Sequence, residues 1–504
     1  MQPHAPQRRG KLQPISTVHA SSIFGSGSIP LDHVPHIYGG KRSSAALHIV
    51  VVGAGLGGLA AVHTLAQAGH RVTLLESASK LGDVGAGIQV SPNSSRLLFR
   101  WGLKSAIASS AVKPNAIVLN RYNTGERVGY TRWGEIMDEH YGAPYLHIHR
   151  ADYHAMLLRL AKNAPGVTVR LGANVVDIQP DPEIAGGPSV TLANGDVVYA
   201  DLIVGADGVK SRVQATVVGY SSEPQPTGDA AYRATVPTEL LLKDPELRPF
   251  VEVPNMTAWM GPRRHMMAYN IREKKEFNLV LIIPDDGSVE AWDVEGSADK
   301  MREDYADFEP RVGKLLSFVK STLKWRLCDR KPLPTWVHPK GRIVLLGDAC
   351  HPMLPYRAQG AAMAIEDAAV LGGLLVNLTH VDQLPALLHA YQDLRYTRCT
   401  DAQLSSRLNQ HIFHLPDGPE QEARDESMRK AMANESIYPE PARLPESTGL
   451  GSANQWADRS KNIEAFGYDA DKAAADWWKE HANEVLAIGG SQSQLDMWAG
   501  TSKL

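Results

Sequence analysis

The sequence predicts an α/β protein in which a parallel, doubly wound sheet is interrupted by a β-rich insertion. Three observations predict it. Residues 47–76 read as strand, tight turn, helix and second strand; a long middle alternates as half-buried strands do; and residues 342–346 restore the buried-strand pattern just before another helix. The 504 residues leave room for two such units around one site.

Taken in order, residues 47–52 are a short apolar run, 57–68 a helix closed by Gly69, and 71–76 the second strand of a βαβ opening. A helix follows at 152–163, then strand-rich segments over 167–203 and further alternating segments over 231–283. The 342–346 strand runs into a helix starting near Gln359, so the nucleotide domain is discontinuous. The expected organisation is a disordered lead over 1–44, the first part of the nucleotide domain over 45–220 and a β-rich substrate domain over 221–335. The return segment spans 336–411, and a C-terminal extension spans 412–504. Within that extension residues 416–454 are polar and proline-bearing, and 473–486 read as a helix wrapping the body.

Composition narrows the function. Fifty-two basic against fifty-five acidic side chains, with no basic run interleaved with aromatics, make nucleic acid an unsuitable partner. Cys328, Cys350 and Cys399 are odd in number and scattered, which suits a reducing compartment and supplies neither a disulfide framework nor a metal-ligating pair. The most apolar stretches, 45–69 and 361–378, are broken by histidines, glycines and the Glu366-Asp367 pair, so no membrane anchor is expected. Ser502-Lys503-Leu504 matches the peroxisomal import tripeptide, which implies the import receptor as a partner and a peroxisomal address, with a cytoplasmic one as the alternative. The acid-poor lead also has transit-peptide character, but its prolines prevent an amphipathic helix.

The chemistry is carried by Gly53-Ala-Gly55-Leu-Gly57-Gly58 between strand and helix, with Glu76 closing the second strand. Gly53 permits the tight turn, Gly55 lets the backbone approach a pyrophosphate, and Gly58 lets helix pack on strand. The helix N-terminus offers its N–H groups to the phosphates, and Glu76 would accept from ribose hydroxyls.

Two further motifs, Asp201-Leu-Ile-Val-Gly205-Ala-Asp207-Gly208 and Gly347-Asp348-Ala-Cys350-His351-Pro352, resemble the Asp-Gly and Gly-Asp fingerprints of the FAD-dependent aromatic hydroxylases. His149-Arg150-Ala-Asp152 is similar to that family's arginine motif, and the resemblance runs from about Leu47 to Arg407. The segments from His414 to Asp425 and Gly467-Tyr468-Asp469 resemble its fungal salicylate-hydroxylase-like branch. The resemblance implies a Rossmann-like FAD-binding domain with a β-rich substrate domain of the p-hydroxybenzoate-hydroxylase type. FAD would be held non-covalently by Gly53, Gly55, Gly58, Glu76, Gly87, Arg150, Asp207, Asp348, Gly360 and Ala361. Asp348 would bond the ribityl chain, and the helix behind Gly360 and Ala361 would point its positive end at the flavin pyrimidine. Asp207 would support the fold near FAD and the passing nicotinamide nucleotide, and Gly87, in Gly85-Ala-Gly87-Ile-Gln89, would let the backbone approach the cofactor. His351, without a triad partner, reads as a structural corner residue.

One Gly-x-Gly-x-x-Gly unit leaves no separate fold for a stably held NADPH or NADH, so the reductant comes and goes. The resemblance implies a monooxygenase in which a flavin C4a-hydroperoxide, formed with O2, hydroxylates a small phenolic substrate, a salicylate-like acid or an aromatic polyketide. Arg233 fits the cation that favours the phenolate and Tyr269 the donor to the same oxygen, in similarity to the substrate-holding pair of dearomatising fungal members. A flavoprotein oxidase, dehydrogenase or reductase on this fold, and an FAD-bound protein without catalysis, remain the alternatives; the last would not need Arg233 and Tyr269.

Overall fold

The computed structural model describes residues 29–81, 85–181, 183, 187–221, 223–288, 294–437 and 451–488. Ser502-Lys503-Leu504 and the first 28 positions of the expected lead lie outside them. Among the described residues no helix is long and apolar enough to cross a membrane.

The opening folds as the apolar patterning predicts. His48–Val52 forms the middle of a five-stranded sheet, with Leu202–Gly205 and Ile343–Leu345 on one side and Arg71–Glu76 and Val167–Leu171 on the other. All four pairings are parallel. His48–Val52, Leu202–Gly205 and Ile343–Leu345 are short and almost wholly apolar because helices cover both faces of a parallel sheet, whereas Val167–Leu171 at the far edge is only partly buried. The helices Leu56–Gln67 and Gly360–Leu375 pack directly on each other. Thr64 Oγ1 donates to the Ala368 carbonyl at 2.8 Å in that contact, satisfying a hydroxyl inside the core. The 342–346 return strand is therefore an integral part of the sheet that begins at His48.

The β-rich unit is an eight-stranded sheet. Its order is Val294–Gly296, Thr322–Asp329, Gln225–Pro237, Glu276–Pro284, Arg264–Ile271, Met256–Gly261, Ala116–Arg121 and Arg127–Arg132. The last two strands fall inside the 45–220 span expected to belong wholly to the nucleotide domain. They cross that boundary because Ala116–Arg121, buried along its whole length, pairs in parallel with Met256–Gly261. A parallel partner so far along the chain leaves no local trace in sequence. Residues 167–203 divide as well: Val167–Leu171 and Leu202–Gly205 join the parallel sheet, and the strands between them form a separate three-stranded one.

Two other expectations change. Within the lead, residues 29–44 are docked: Ile29, Leu31 and Ile37 pack on the nucleotide-domain core, and Ser105 N–H donates to Asp32 at 3.1 Å. Within the polar 416–454 stretch, Pro419–Ile437 is a helix. Its buried side is Gln421, Arg424, Asp425, Met428, Ala431 and Glu435, a helical stripe whose polarity hides it from an apolar periodicity test. The tail then forms Arg459–Phe466 and Ala470–Ala487, the second containing the expected 473–486 helix.

Candidate active site

The turn after His48–Val52 is glycine-built for steric reasons. Gly53 has φ +102°, and a Cβ there would lie 2.4 Å from the Ala206 carbonyl oxygen; one on Gly58 would lie 2.0 Å from the Gly53 oxygen. Gly55 differs, since a Cβ there meets nothing within 4 Å. It faces open space at the start of Leu56–Gln67, where no side chain among the described residues caps the helix. Open room, a bare helix N-terminus and a neighbouring acid suit a pyrophosphate-bearing nucleotide. Glu76 accepts from Ala54 N–H at 2.8 Å through Oε2, and from Ala78 N–H and Ser77 Oγ through Oε1. A carboxylate has about four lone-pair sites, so one remains for a ribose hydroxyl.

The far end of the cleft is set by Arg150, at the start of Arg150–Asn163, and Asp348, in the corner after Ile343–Leu345. Asp348 is open to solvent, yet protein surrounds it closely enough to desolvate its carboxyl and raise its pKa against the pull of His351 and Arg150. Both properties hold for a group lining a deep cleft. Desolvation lowers the pKa of Arg150, opposed by Asp348. Gly360–Leu375 opens onto this region with no acid in its first turn, and a Cβ on Gly360 would make only ordinary contact with Met353, at 3.5 Å. Gly360 and Ala361 thus begin a helix whose end is compatible with electron-rich ligand atoms.

Asp207 and Gly87 make their described contacts within the protein. Asp207 spends its carboxylate on its own chain: Oδ1 accepts from Ser211 Oγ, and Oδ2 from Arg212 N–H at 2.7 Å and Val213 N–H at 3.2 Å. It caps Arg212–Val218 and keeps the Ala206 turn against Gly53, so its contribution is to the wall. Gly87 is small because a Cβ would strike Tyr269 Cε2 at 2.6 Å and Asn278 Cγ at 2.7 Å. Its N–H donates to Asn278 Oδ1 at 2.6 Å, so the close approach it permits is to the sheet.

His351 is a corner residue, as its sequence setting suggests. Its Nε2 lies 2.6 Å from Asp367 Oδ2, which also accepts from Gly347 N–H at 3.1 Å, while Asp367 Oδ1 pairs with Arg395 Nε at 2.8 Å. Cys350, His351 and Asp367 lie close enough to suggest a metal cluster, but the carboxylate is already committed to these partners. The buried network fixes the Gly347–Ala349 turn that carries Asp348.

Arg233 and Tyr269 line one cavity of about 100 Å³. They meet because strand register places them on one face: Arg233 pairs with Val280, Val280 with Met267, and Tyr269 with Asn278 in the next row but one. The Arg233 guanidinium lies 4.1 Å from the Trp325 ring centroid, and its buried Nε has no hydrogen-bond partner among the described residues. Burial lowers its pKa to about 10, with Tyr269 opposing and Arg150 reinforcing that shift, so the cavity adjoins the cofactor cleft. Burial raises the Tyr269 phenol above its usual pKa, partly offset by Arg233.

Several residues of this cavity were not anticipated. His265 and Met267 share the face of Tyr269 at a period of two, the signal that would have found them. His265 Nδ1 lies 2.8 Å from His414 Nε2; His414 Nδ1 is 3.8 Å from Asp229 Oδ2, which accepts from Tyr356 Oη and, at 2.6 Å, from Gln410 Nε2. Burial holds both imidazoles neutral, His414 at about 3 and His265 well below its usual value. His414 and Trp456 reach the site from the C-terminal extension, with no local signal.

A nucleotide-binding turn beside a partly aromatic cavity with a cation and a phenol in its wall fits a flavin-dependent oxygenase. Comparison with known proteins agrees: the FAD binding domain family matches residues 46–403, and the chain belongs to that family. It is 39% identical over 427 residues to the FAD-dependent monooxygenase OpS4 of Beauveria bassiana, covering 84% of this chain and 95% of that protein. It is 35% identical to 3-hydroxybenzoate 6-hydroxylase 1 of Aquipseudomonas alcaligenes, covering 74% and 91%. A salicylate hydroxylase solved with its substrate is similar at a TM-score of 0.68 and 26% identity, covering 86% of this chain and 98% of that one. The chain is an FAD-dependent aromatic monooxygenase of the salicylate and hydroxybenzoate hydroxylase type.

Proposed function

We propose that this enzyme hydroxylates a small phenol, converting phenol, NAD(P)H, a proton and O2 into the hydroxylated product, NAD(P)+ and water. The observation that carries the reading is the buried Nε of Arg233, without a partner among the described residues, in the wall that also holds Tyr269. An anionic oxygen satisfies that donor, whereas leaving it desolvated is costly.

The Gly53–Gly58 turn, Glu76, Arg150, Asp348 and the helix behind Gly360 would hold FAD, which when bound would supply reduction of O2 and transfer of one oxygen atom to the ring. The protein prepares the ring. Arg233 favours the phenolate over the phenol by its charge, lowering the substrate's pKa. Tyr269, kept protonated by burial, donates to the same oxygen and orients it. The neutral, directly bonded His265–His414 pair gives the released proton a path away from the cavity. Salicylate-like acids suit the site because Arg233 also accommodates an ortho carboxylate.

The test is a panel of salicylates and acylated resorcinols assayed for stimulated NAD(P)H oxidation, with product mass. One added oxygen in a product formed with stimulated oxidation supports the reading. Stimulated turnover without oxygen insertion would favour an oxidase or dehydrogenase, and no stimulation across the panel would reject phenol hydroxylation.

A further inference from the structure

The guanidinium of Arg233 has an aromatic neighbour where an arginine inside a protein ordinarily has an acid. It lies 4.1 Å from the centroid of the Trp325 ring, well within the ~6 Å reach of a cation–π contact. Among the described residues it forms no ion pair and its buried Nε finds no acceptor. The titratable groups that act on it are Tyr269 and Arg150, and neither is a carboxylate. His265, on the same cavity wall, is held neutral by burial.

Strand register makes the contact. Across Gln225–Pro237 and Thr322–Asp329, Ala231 pairs with Trp325 and Arg233 with Leu323, so Trp325 stands diagonally beside Arg233 on the face that Arg233 presents to the cavity. The indole is anchored independently of the arginine, because it packs against the buried cluster of Ala231, Ile282, Leu327, Leu354 and Tyr356. The opposite face of the same two strands shows the other way to hold a cation. There Lys324 lies 5.4 Å from the Tyr232 ring centroid and also pairs with Asp286 at 2.6 Å. That cation is neutralised by a carboxylate, and Arg233 is not.

The difference has a chemical consequence. A carboxylate beside Arg233 would form charge-assisted hydrogen bonds with it and compete with any anionic ligand. An aromatic face attracts the cation electrostatically and leaves its N–H donors unpaired. Resting on the proposed phenol hydroxylation, we infer that Trp325 is a positioning residue: it holds the Arg233 guanidinium at the cavity wall without neutralising it, which keeps the charge available to the substrate's phenolate oxygen.

The experiment uses the full-length, FAD-loaded enzyme without NAD(P)H and the variants Trp325→Phe and Trp325→Leu. The probe is 2,4-dihydroxyacetophenone, whose phenolate absorbs at longer wavelength than its phenol, so difference spectra of the bound probe against pH read its ionisation. In the wild type the bound probe should ionise at lower pH than the free one. Trp325→Leu should move that ionisation back toward the free value by about one pH unit, a tenfold weaker preference for the phenolate. Trp325→Phe keeps a smaller aromatic face and should move it less, and kcat/KM for stimulated NAD(P)H oxidation should fall in the same order. An unchanged ionisation in a Trp325→Leu enzyme that retains FAD overturns the positioning role and leaves the indole as packing alone. Equal shifts in the two variants also overturn it, because the aromatic face then makes no difference. If Trp325→Leu fails to fold, Trp325→Phe decides by the same titration, and an ionisation matching the wild type overturns the role. A wild-type enzyme that does not bind the probe, or binds it without easing its ionisation, overturns the phenol reading itself, a result distinct from variants that match an effective wild type.

Discussion

The imidazoles of His265 and His414 meet nitrogen to nitrogen at 2.8 Å, Nδ1 to Nε2, inside a wall that burial keeps uncharged. One ring must donate and the other accept, so a proton entering at one end can leave at the other only with a change of tautomer. His414→Leu should therefore slow turnover of ordinary phenols by about 10²-fold, and less for phenols acidic enough to enter already ionised. Measuring kcat against substrate phenol pKa checks this; equal loss across the series would reject the relay.

Arg233→Met should leave the bound-flavin spectrum in place while lowering substrate-stimulated kcat/KM by roughly 10²–10³-fold, the range for removing one preorganised charge-stabilising donor. Tyr269→Phe keeps the ring and loses the hydroxyl. It should lower the fraction of NAD(P)H consumption that yields product, measured as product formed per reductant oxidised, more than it lowers the melting temperature.

Asp348→Ala should weaken FAD binding by about 1–3 kcal/mol, corresponding to one or two lost hydrogen bonds. Fluorescence titration of the apoprotein with FAD reads this directly, and unchanged affinity would remove Asp348 from the cofactor site. Asp207→Asn should act instead on thermal stability, because its carboxylate caps Arg212–Val218.

Glu435 gives a pH dependence of defined sign. Burial raises its carboxyl from the usual 4.5 to about 7, against the pull of Arg132 and Arg459. Between these values the folded protein holds a proton that the unfolded chain has released, so stability is full below about pH 4.5 and falls as pH rises to about 7. Glu435→Gln keeps an acceptor for the Arg132 N–H, bonded at 2.6 Å in the wild type, and removes the titration. The variant should gain on the order of 2–3 kcal/mol relative to wild type on going from pH 5 to pH 8, read from urea unfolding at both.

His63 and His70, held at about 4, and His147 and His414, at about 3, act with the opposite sign. Each folded pKa is depressed by burial, so these groups contribute stability above pH 6.5 that is lost as pH falls toward the folded values. Unfolding at pH 5 should take up protons, measurable from the pH slope of the unfolding free energy.

The parts of the site legible in sequence are those made by contiguous residues. The Gly53–Gly58 turn, Glu76 and the Asp348 corner each declare themselves through a local chemical requirement. Arg233 and Tyr269 were legible through family resemblance, and the period of two from Tyr269 extends to His265. Ala116–Arg121 was not, because its partner strand is remote and an apolar run does not say which sheet it joins. His414 and Trp456 were illegible for another reason: their placement depends on where a polar extension docks, and polar stripes such as Gln421 to Glu435 leave no hydropathic signature. Gly87 shows a third limit, since its smallness was visible but the neighbours demanding it were Tyr269 and Asn278.

The insertion between Leu202–Gly205 and Ile343–Leu345 orders events during synthesis. As the chain leaves the ribosome, Leu202–Gly205 can pair with His48–Val52 at once, but its other edge waits for Ile343–Leu345. Until then an apolar strand presents unpaired backbone, a surface that invites association with other chains. The intervening residues must meanwhile form most of the eight-stranded sheet. A nascent chain halted between these strands is thus the species most exposed to chaperones and aggregation, and its lifetime is set by elongation through the insertion.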